Sequence, residues 1–574
     1  MTQTLTGRPA SPGVALAPAF VIAPRRADTE LPPQGTPEEE EARAADALAR
    51  AAADLEALAE KVEAEAGPDE AAIFEAHAAF AADPELADMV AKATREGVRA
   101  EEAVRRAFDS FREVLAASPV EYMAARAADL DDVRDQVIDL LVGAEAAPVP
   151  SERSVIVALE LTPSQTTRLP RDLIAAIACE GGSPTSHAAI LSRSLGIPAV
   201  VGVTGLLEAV TPGTLLAVDG DAGTVAIDPD AALQADFAQR AERHAEREEL
   251  LAGLRDEPGR TADGRRVELA ANVNDPGAID AAREFGAEGS GLVRTEFLFL
   301  EAETAPSVDE QVEYYRRVLA AFPGQRVVVR TMDIGADKPL PFVQREPEEN
   351  PALGVRGLRL GLVMPELLRD QLRALLRAAA AEGSGSGRLA VMFPLVSRVD
   401  ELQRALALFD EIAAEEGADR AGIEVGVMVE VPSAALAARR FARHVDFLSI
   451  GTNDLLQYLF AADRLLADVA ALPELFEPDV LRLIGDVCRG AHAEQAWVGV
   501  CGEAAADPLS AAVLVGLGVD ELSMTPRAVP AVKDLLRRLD SEDLERAAAE
   551  AVAADSAEAA RAAVQAVVDA AMGG

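Results

Sequence analysis

One histidine stands where a turn of small residues meets an apolar run. Residues 181–191 read Gly-Gly-Ser-Pro-Thr-Ser-His-Ala-Ala-Ile-Leu, and His187 lies at the front of the run. Unpaired backbone N–H groups and the dipole at a helix N-terminus attract anions, and imidazole can accept a phosphoryl group as an N–P bond. The pattern therefore marks His187 as a candidate phosphoryl carrier. A lone histidine after a glycine turn often has only a structural role, and that alternative stays open on this stretch alone.

A second set of residues that could bind a ligand or take part in a reaction lies between residues 291 and 503. Several of its segments follow short apolar runs, and the set includes Arg294, Arg330, Arg356, Glu430, Asp454 and Cys501. Guanidinium groups bind phosphate and carboxylate through paired hydrogen bonds. Two carboxylates offer hard oxygen ligands to a magnesium ion that also keeps waters and substrate oxygens. Cys501, flanked by Gly499 and Gly502, is expected to be accessible and able to move a proton.

These side chains need a scaffold that brings them together. Apolar runs lie at residues 326–330, 389–393 and 447–450, with helical stretches between them; the first ends in Arg330, and the last is followed by Gly451 and Asn453. Buried strands that alternate with helices are typical of a parallel barrel, whose functional side chains gather at the carboxyl ends of the strands. The six residues are therefore predicted to face one mouth. Each alone has an ordinary alternative, namely a salt-bridged arginine, a solvated carboxylate or a small core cysteine.

Longer stretches carry a family resemblance that covers nearly the whole chain. They are residues 10–15, 73–77, 83–86, 121–129, 161–166, 181–191, 291–298, 330–338, 349–356, 426–430, 449–458 and 499–503. Together they resemble enzyme I of the phosphoenolpyruvate-dependent sugar phosphotransferase system, the phosphoenolpyruvate–protein phosphotransferase family of PEP-utilising enzymes. The resemblance implies a multidomain α/β protein. Its phosphohistidine β/α domain would hold an inserted helical bundle, and a C-terminal (β/α)8 TIM-type barrel would follow.

The expected domains can be placed along the chain. Residues 1–25 and 147–230 are predicted to form the phosphohistidine domain, and the Ala/Glu/Arg/Leu-rich residues 26–146 its helical insert. Residues 231–258 read as a linker helix. Residues 259–574 are predicted to form the barrel, with a helical tail rich in Ala and Glu. By resemblance, the insert would bind the histidine phosphocarrier protein HPr, and the barrel would bind phosphoenolpyruvate and form a homodimer.

The resemblance also implies roles for individual residues. His187 would be phosphorylated, with Thr166 as its hydrogen-bond neighbour. Cys501 would protonate the leaving enolate to give pyruvate, and Glu430 and Asp454 would bind Mg²⁺. The substrate pocket would be formed by Arg294, Arg330, Asn453, Asp454 and Arg464, with Arg356 and Lys338 beside it.

Two places depart from the family pattern. The family usually has a second Gly and an Arg directly before Thr-Ser-His, where this chain has Ser183 and Pro184. One positive charge near the histidine is therefore missing, and the proline fixes the turn. After Arg464 the family usually continues Gly-Asn, whereas this chain has Leu465 and Leu466. Part of the loop over the substrate pocket is affected.

Related function classes compete with this interpretation. Pyruvate phosphate dikinase and phosphoenolpyruvate synthase need an ATP-binding domain ahead of the histidine domain, which here is predicted to begin almost at Met1. A nitrogen-regulatory version would carry a sensory domain in front. A regulatory paralogue would be expected to lose His187, Cys501 or a metal carboxylate, and all are present. The phosphotransferase is favoured, but the sequence does not identify whether it serves sugar uptake or dihydroxyacetone phosphorylation.

The composition is strongly acidic and poor in lysine. The chain has 54 Lys and Arg residues against 97 Asp and Glu residues, a formal net charge of −43. Such a surface would repel nucleic acid, and it suits a high-salt cytoplasm, as in halophiles, because salt screens self-repulsion. A GC-rich genome is the alternative source of the arginine bias. Three cysteines without paired spacing and the lack of an apolar signal or membrane-length run predict a cytoplasmic protein.

Overall fold

The computed structural model describes most of the chain in two compact units, Met1–Glu248 and Glu249–Gly574. The described residues are 2–22, 33–65, 68–116, 127–143, 149–182, 186, 189, 192–193, 196–274, 277–300, 302, 304–335, 340, 342–343, 346, 348–382, 386–418, 420–464, 466 and 468–572.

The first unit contains an eight-stranded mixed sheet. Its strands are β1 Gln3–Thr6, β2 Arg8–Ser11, β3 Val14–Ile22, β4 Ser154–Ala158, β5 Ile174–Cys179, β6 Ala199–Val201, β7 Leu215–Asp219 and β8 Thr224–Ile227. They lie in the order β1-β8-β7-β3-β4-β5-β6-β2, and the neighbours from β3 to β6 are parallel. β4 and β5 are buried on both faces, which explains their unbroken apolar sequence. Because β3 pairs with β4, the helices between these strands are an insertion.

The inserted helices form a core of their own. They are α1 Pro37–Glu65, α2 Pro68–Ala81, α3 Pro84–Arg95, α4 Ala100–Ala116 and α5 Ala127–Val142. Ala44, Ala51 and Leu55 recur at helical spacing on α1 and belong to the same buried cluster as Phe108 on α4. Buried Glu40 accepts a hydrogen bond from the backbone N–H of Ala100 at 2.9 Å, which ties the starts of α1 and α4 together. Three further helices are α6 Pro163–Arg168, α7 Leu206–Ala209 and α8 Ala231–Ala252.

The second unit is built on a closed barrel of parallel strands. They are β9 Glu268–Val273, β10 Gly289–Val293, β11 Arg326–Arg330, β12 Arg388–Phe393, β13 Glu424–Val429, β14 Phe447–Ile450, β15 Trp497–Val500 and β16 Glu521–Met524. Each pairs in parallel with the next, and β16 closes on β9. The predicted parallel barrel is therefore confirmed. β11 is buried on both faces, which explains its unbroken apolar sequence Val327-Val328-Val329 and why the strand could be predicted.

Helices surround this barrel and extend beyond it. They are α9 Ala278–Glu284, α10 Phe297–Leu300, α11 Val308–Ala321, α12 Leu358–Val363, α13 Pro365–Glu382, α14 Val399–Glu416, α15 Pro432–Leu436, α16 Ala438–Ala442, α17 Thr452–Phe460, α18 Pro478–His492, α19 Pro508–Gly516, α20 Val529–Leu536, α21 Ser541–Val552 and α22 Ala557–Ala571. Apolar residues of the tail helices α21 and α22, such as Leu544 and Val564, belong to the main core cluster of the barrel. Within the described part of the chain, none of the helices combines the length and apolarity needed to cross a bilayer.

Candidate active site

The chemically capable residues of the second unit lie at the carboxyl ends of the barrel strands. Arg294 directly follows β10, Arg330 ends β11, Glu430 follows β13, and Cys501 follows β15. Asp454 lies in the first turn of α17, just after β14. Each side chain is thus placed by the end of a buried strand, where the parallel barrel collects functional groups.

Arg330 is held by two carboxylates in a buried setting. Its Nη2 lies 3.0 Å from Glu296 Oε1, and its Nη1 lies 3.1 Å from Asp333 Oδ2. The same Glu296 oxygen accepts the backbone N–H of Asp333 at 2.9 Å. Burial alone would lower the pKa of Arg330, but the charges of Glu296, Asp333 and Glu430 outweigh it and raise the pKa. The guanidinium therefore stays charged.

Asp333 joins this arginine to a second one. It accepts hydrogen bonds from Arg356 Nη2 at 2.8 Å and from Arg356 Nε at 3.2 Å. Arg356 Nη1 also lies 3.6 Å from Asp454 Oδ1. A Cβ on Gly335 would lie only 2.2 Å from the Cβ of Arg356, so the missing side chain leaves room for the arginine. Two guanidinium groups thus share one acidic anchor at the mouth, in the fork geometry that suits phosphate and carboxylate.

Glu430 and Asp454 present carboxylate oxygens that protein groups leave unsatisfied. Glu430 is fully buried; its Oε1 accepts the backbone N–H of Leu395, and its Oε2 has no hydrogen-bond partner in the described structure. Asp454 Oδ1 likewise accepts no hydrogen bond in the described structure, and the nearest ion-pair partner of Asp454 there is Arg356, at 3.6 Å. Burial, then the neighbouring Asp333 and Asp454, raise the pKa of Glu430 to about 8. Leu395 has a φ of 50°, a strained conformation for this residue type that aims its N–H at the carboxylate.

This donor set fits a hard divalent cation that takes few protein ligands. Two buried carboxylates with orphaned oxygens suit a magnesium ion, which usually keeps waters and substrate oxygens as its other ligands. Across the described ranges no group of three or more His, Cys, Asp or Glu side chains is arranged to hold a metal by itself.

Cys501 departs from the expectation that it is accessible. Its side chain is only 4% exposed, it lies in the interior cluster with Met428 and Phe447, and its Sγ is 3.8 Å from the carbonyl oxygen of Ile450. The flanking glycines do not open the site, because Gly502 packs against Thr452. Burial raises the pKa of the thiol to about 11. The sulfur is therefore a protonated thiol at neutral pH, in the state needed for donating a proton.

The remaining pocket residues predicted by resemblance lie around the rim. Asn453 exchanges two hydrogen bonds with Glu503: its Nδ2 donates to Oε1 at 3.3 Å, and its Oδ1 accepts the backbone N–H at 3.0 Å. Arg464 is exposed, with its Nη2 3.9 Å from Asp454 Oδ2. The Arg294 side chain is also exposed. Buried Arg330 and Arg356 thus contrast with exposed arginines that remain open to an incoming anion.

Only part of the predicted histidine site falls on described residues. Thr166 lies in α6, where its Oγ1 donates to the carbonyl of Thr162 at 2.8 Å. His187 and Lys338 lie outside the described residues, as do Ser183, Pro184 and Leu465. The roles given to His187, Thr166 and Lys338 therefore stay predictions.

Sequence reasoning assigned no role to two acids that organise the mouth. Glu296 and Asp333 orient Arg330, and Asp333 also binds Arg356. Both stand within the stretches that carry the resemblance, two residues after Arg294 and three after Arg330. The sequence did contain a signal for these two acids, because each follows an arginine at a strand end by two or three residues. A buried arginine needs an acidic partner, and a nearby acid in the sequence is a candidate for that partner.

Fold and mouth together define a parallel-barrel enzyme whose strand ends gather paired arginines and carboxylates. Family models match three successive regions of the chain. Residues 6–126 match the N-terminal region of PEP-utilising enzymes, residues 150–223 their mobile domain, and residues 248–541 their PEP-binding domain.

Several proteins that are similar to this chain over nearly their full length share the same name. A phosphoenolpyruvate-protein phosphotransferase of Streptomyces coelicolor is 46% identical over 575 residues, 99% of this chain and 100% of its own. One from Lactococcus lactis is 41% identical, covering 96% and 97%, and one from Staphylococcus carnosus is 41% identical, again covering 96% and 97%. An NMR structure of an Enzyme I protein aligns with 42% of this chain and 99% of its own, at 34% identity and a TM-score of 0.37. The chain belongs to the phosphoenolpyruvate–protein phosphotransferase family of PEP-utilising enzymes.

Proposed function

We propose that this enzyme transfers the phosphoryl group of phosphoenolpyruvate to its own His187 and then to a histidine of HPr, releasing pyruvate. The observation that carries the proposal is the mouth of the barrel, where Arg330 and Arg356 share Asp333 beside the orphaned oxygens of Glu430 and Asp454. Two guanidinium groups next to carboxylates that could bind a cation together suit a small molecule that carries both a phosphate and a carboxylate. The relatives of the same name support that choice.

The residues of the mouth would act by positioning and by charge. Arg294, Arg330 and Arg464 would bind substrate oxygens, with Asn453 as a further donor and Arg356 and Lys338 beside them. Glu430 and Asp454 would hold Mg²⁺, which when bound neutralises charge on the phosphate and the enolate. Cys501 would give its proton to the enolate carbon. Phosphoryl transfer depends mostly on such orientation and charge neutralisation, and buried arginines fixed in advance by acids provide the orientation.

Four further properties belong to the same proposal. We propose Mg²⁺ as the cofactor, a homodimer formed through the barrel, a cytoplasmic location and adaptation to high salt. The buried state of all three cysteines, none of them in a disulfide, suits a reducing compartment. The net charge of −43 supports the salt adaptation.

Phosphoenolpyruvate that carries a radioactive phosphoryl group tests the central proposal. The wild-type protein with Mg²⁺ should take label from phosphoenolpyruvate, in an acid-labile linkage, and pass it to HPr. A His187→Ala variant should take none, whereas the control His244→Ala, which removes an exposed histidine of α8, should label normally. Label from ATP instead would point to a dikinase. A His187→Ala protein that still labels fully would contradict the assignment.

A further inference from the structure

A glutamine on α13 lies fully buried beside the carboxyl ends of β10 and β11. Gln371 has no exposed surface, and its neighbours on the helix, Leu372 and Leu375, belong to the apolar core of the barrel. A polar side chain in such a setting costs free energy unless its hydrogen-bonding groups are satisfied. A leucine would avoid that cost, so the reason for an amide at this position has to lie in its contacts.

The amide of Gln371 joins the segments that follow the two strands. Its Oε1 accepts the backbone N–H of Met332 at 2.9 Å, and its Nε2 donates to Thr295 Oγ1 at 3.1 Å. Thr295 Oγ1 in turn donates to the carbonyl oxygen of Arg330 at 3.1 Å. Because a backbone N–H can only donate, the amide must point its oxygen at Met332 and its nitrogen at Thr295. One side chain thus links the end of β10 to the end of β11.

The two residues that this amide holds directly precede the acids that orient Arg330. Thr295 is followed by Glu296, and Met332 is followed by Asp333. Glu296 lies 3.0 Å from Arg330 Nη2, and Asp333 lies 3.1 Å from Arg330 Nη1. A shift of the amide would therefore move the backbone beside both acids, and the guanidinium between them would follow.

The amide has a second hydroxyl partner, which lies on a helix rather than at a strand end. Gln371 Nε2 also donates to Tyr315 Oη at 3.1 Å, and Tyr315 Oη donates to Gln311 Oε1 at 3.4 Å. Tyr315 and Gln311 both belong to α11. Tyr315 and Thr295 are each fully buried and each bind the same nitrogen, but only Thr295 belongs to a segment of the mouth. The two hydroxyls therefore form a matched pair.

We propose that Gln371 is a positioning residue that sets the spacing of the phosphate-binding arginines by holding the segments after β10 and β11 together. The inference rests on the proposed function, in which Arg294 and Arg330 bind substrate oxygens. Arg294 directly precedes Thr295, so the hydrogen bond from the amide to Thr295 also fixes the backbone beside that arginine. Gln371 acts through these arginines and makes no contact with the substrate itself.

Loss of the amide should weaken substrate binding more than it slows the reaction. In Gln371→Met, KM for phosphoenolpyruvate should rise about 10-fold, as expected when a buried hydrogen bond is lost. The kcat should change by less than about threefold, because a bound phosphate would itself hold the arginines in place. The Mg²⁺ concentration for half-maximal rate, at saturating phosphoenolpyruvate, should stay unchanged, since Glu430 and Asp454 follow other strands. Steady-state pyruvate release with excess HPr measures all three quantities.

Variants of the two hydroxyls provide the matched comparison. Thr295→Val keeps the shape of the side chain but removes the hydroxyl that binds the amide, so it should raise the same KM. Thr295→Ser keeps a hydroxyl and should restore the wild-type KM. Tyr315→Phe should lower the melting temperature as Thr295→Val does, because each loses one buried hydrogen-bonding group, but it should leave KM unchanged. These small substitutions decide the question even where Gln371→Met fails to fold.

Three results would overturn the inference. A wild-type KM in Thr295→Val or in folded Gln371→Met would show that the amide does not hold the arginines in place. An equal rise of KM in Tyr315→Phe would assign the whole network a merely structural role. A fall in kcat without a rise in KM would place the effect outside substrate binding. A wild-type protein that takes no label from phosphoenolpyruvate would instead refute the proposed function, so the two failures are distinguishable.

Discussion

The guanidinium of Arg330 lies 3.0 Å from the carboxylate of Glu296, in a pocket where both side chains are buried. Glu296 is itself fixed by the backbone N–H of Asp333. The arginine is thus oriented without any substrate, and its charge is paired rather than left bare. In the proposed function, a bound phosphate would therefore meet an arginine that is already positioned, which lowers the entropic cost of binding.

Replacing the guanidinium of Arg330 with an amine should lower kcat/KM without unfolding the barrel. Arg330→Lys keeps the charge but loses the planar two-point contact. A lost charge-assisted hydrogen bond is worth about 1.5–3 kcal/mol, so kcat/KM for phosphoenolpyruvate should fall roughly 10- to 100-fold. Steady-state kinetics measure this directly. Arg398→Lys, at an exposed arginine paired with Asp400, serves as the control and should leave kcat/KM unchanged.

Neutralising the buried acid should separate metal binding from stability. Glu430→Gln keeps the shape of the side chain and can still accept the N–H of Leu395, but it removes a buried carboxylate that faces Asp333 and Asp454. In EDTA the variant should therefore unfold at the same temperature as wild type or at a higher one. Phosphotransfer in excess Mg²⁺ should nevertheless be lost.

Thermal unfolding with and without Mg²⁺ checks this point beside the activity assay. Wild type should gain melting temperature when Mg²⁺ and phosphoenolpyruvate are added together, because ligands that bind only the folded state stabilise it. Glu430→Gln should gain little. An unaltered wild-type rate in excess chelator would speak against the metal assignment.

The barrel was readable from the sequence because its strands are buried on both faces. β11 and β12 show unbroken apolar runs, and β11 ends in Arg330, so this strand end and its site residue could be placed together. The positions of Arg330, Glu430 and Cys501 at one end of the barrel follow from that pattern alone.

The pairing of side chains within the mouth could not be read in the same way. That Asp333 joins Arg330 to Arg356 depends on a chain path that brings residues 23 positions apart together, with a glycine at 335 making room. Cys501 was expected to be accessible because glycines flank it, but burial depends on what packs there, and Met428 and Phe447 lie on other strands.

A histidine at the end of α18 should make stability depend on pH. His492 Nε2 lies 2.7 Å from Asp520 Oδ2, and this hydrogen bond raises the pKa of His492 above its ordinary value of 6.5, with burial and Arg265 opposing. The folded state therefore holds the proton more tightly. The added stability is complete below about pH 6.5 and is lost as pH rises through the folded-state pKa. The difference in Tm between wild type and His492→Gln should be largest near pH 6 and shrink towards alkaline pH. A difference that grows with pH would contradict the sign.

One of the four lysines should be essential to the fold of the second unit. Lys533 is fully buried, and its Nζ donates to the carbonyls of Leu254, Arg255 and Gly286 at 3.2, 3.2 and 3.0 Å. Lys533→Met keeps the volume but leaves these carbonyls without their donor, which should cost about 3 kcal/mol of unfolding free energy. Denaturant unfolding followed by circular dichroism measures the loss. Lys92→Met, at an exposed lysine on α3, is the control and should change the midpoint little.

The acidic surface should make stability depend on salt. With a net charge of −43, self-repulsion opposes the compact state at low ionic strength, and molar salt shortens the screening length to about 3 Å. Salt also weakens favourable surface pairs, such as that between Arg373 and Glu415 at 3.0 Å. Exposed pairs of this kind contribute little individually, so the relief of repulsion should outweigh their loss and the Tm should rise with KCl.

Activity should follow stability in the same series. Arg330 and Arg356 are buried beside their acids, so salt screens their contacts with substrate less than it screens surface charges. Phosphotransfer to His187 should therefore increase as KCl rises towards molar concentrations, even though the attraction between pocket and substrate weakens somewhat. Tm and initial rate measured on one set of samples test both effects. Equal stability and activity near zero salt would attribute the acidic composition to genome bias, because self-repulsion would then be too small to affect the fold.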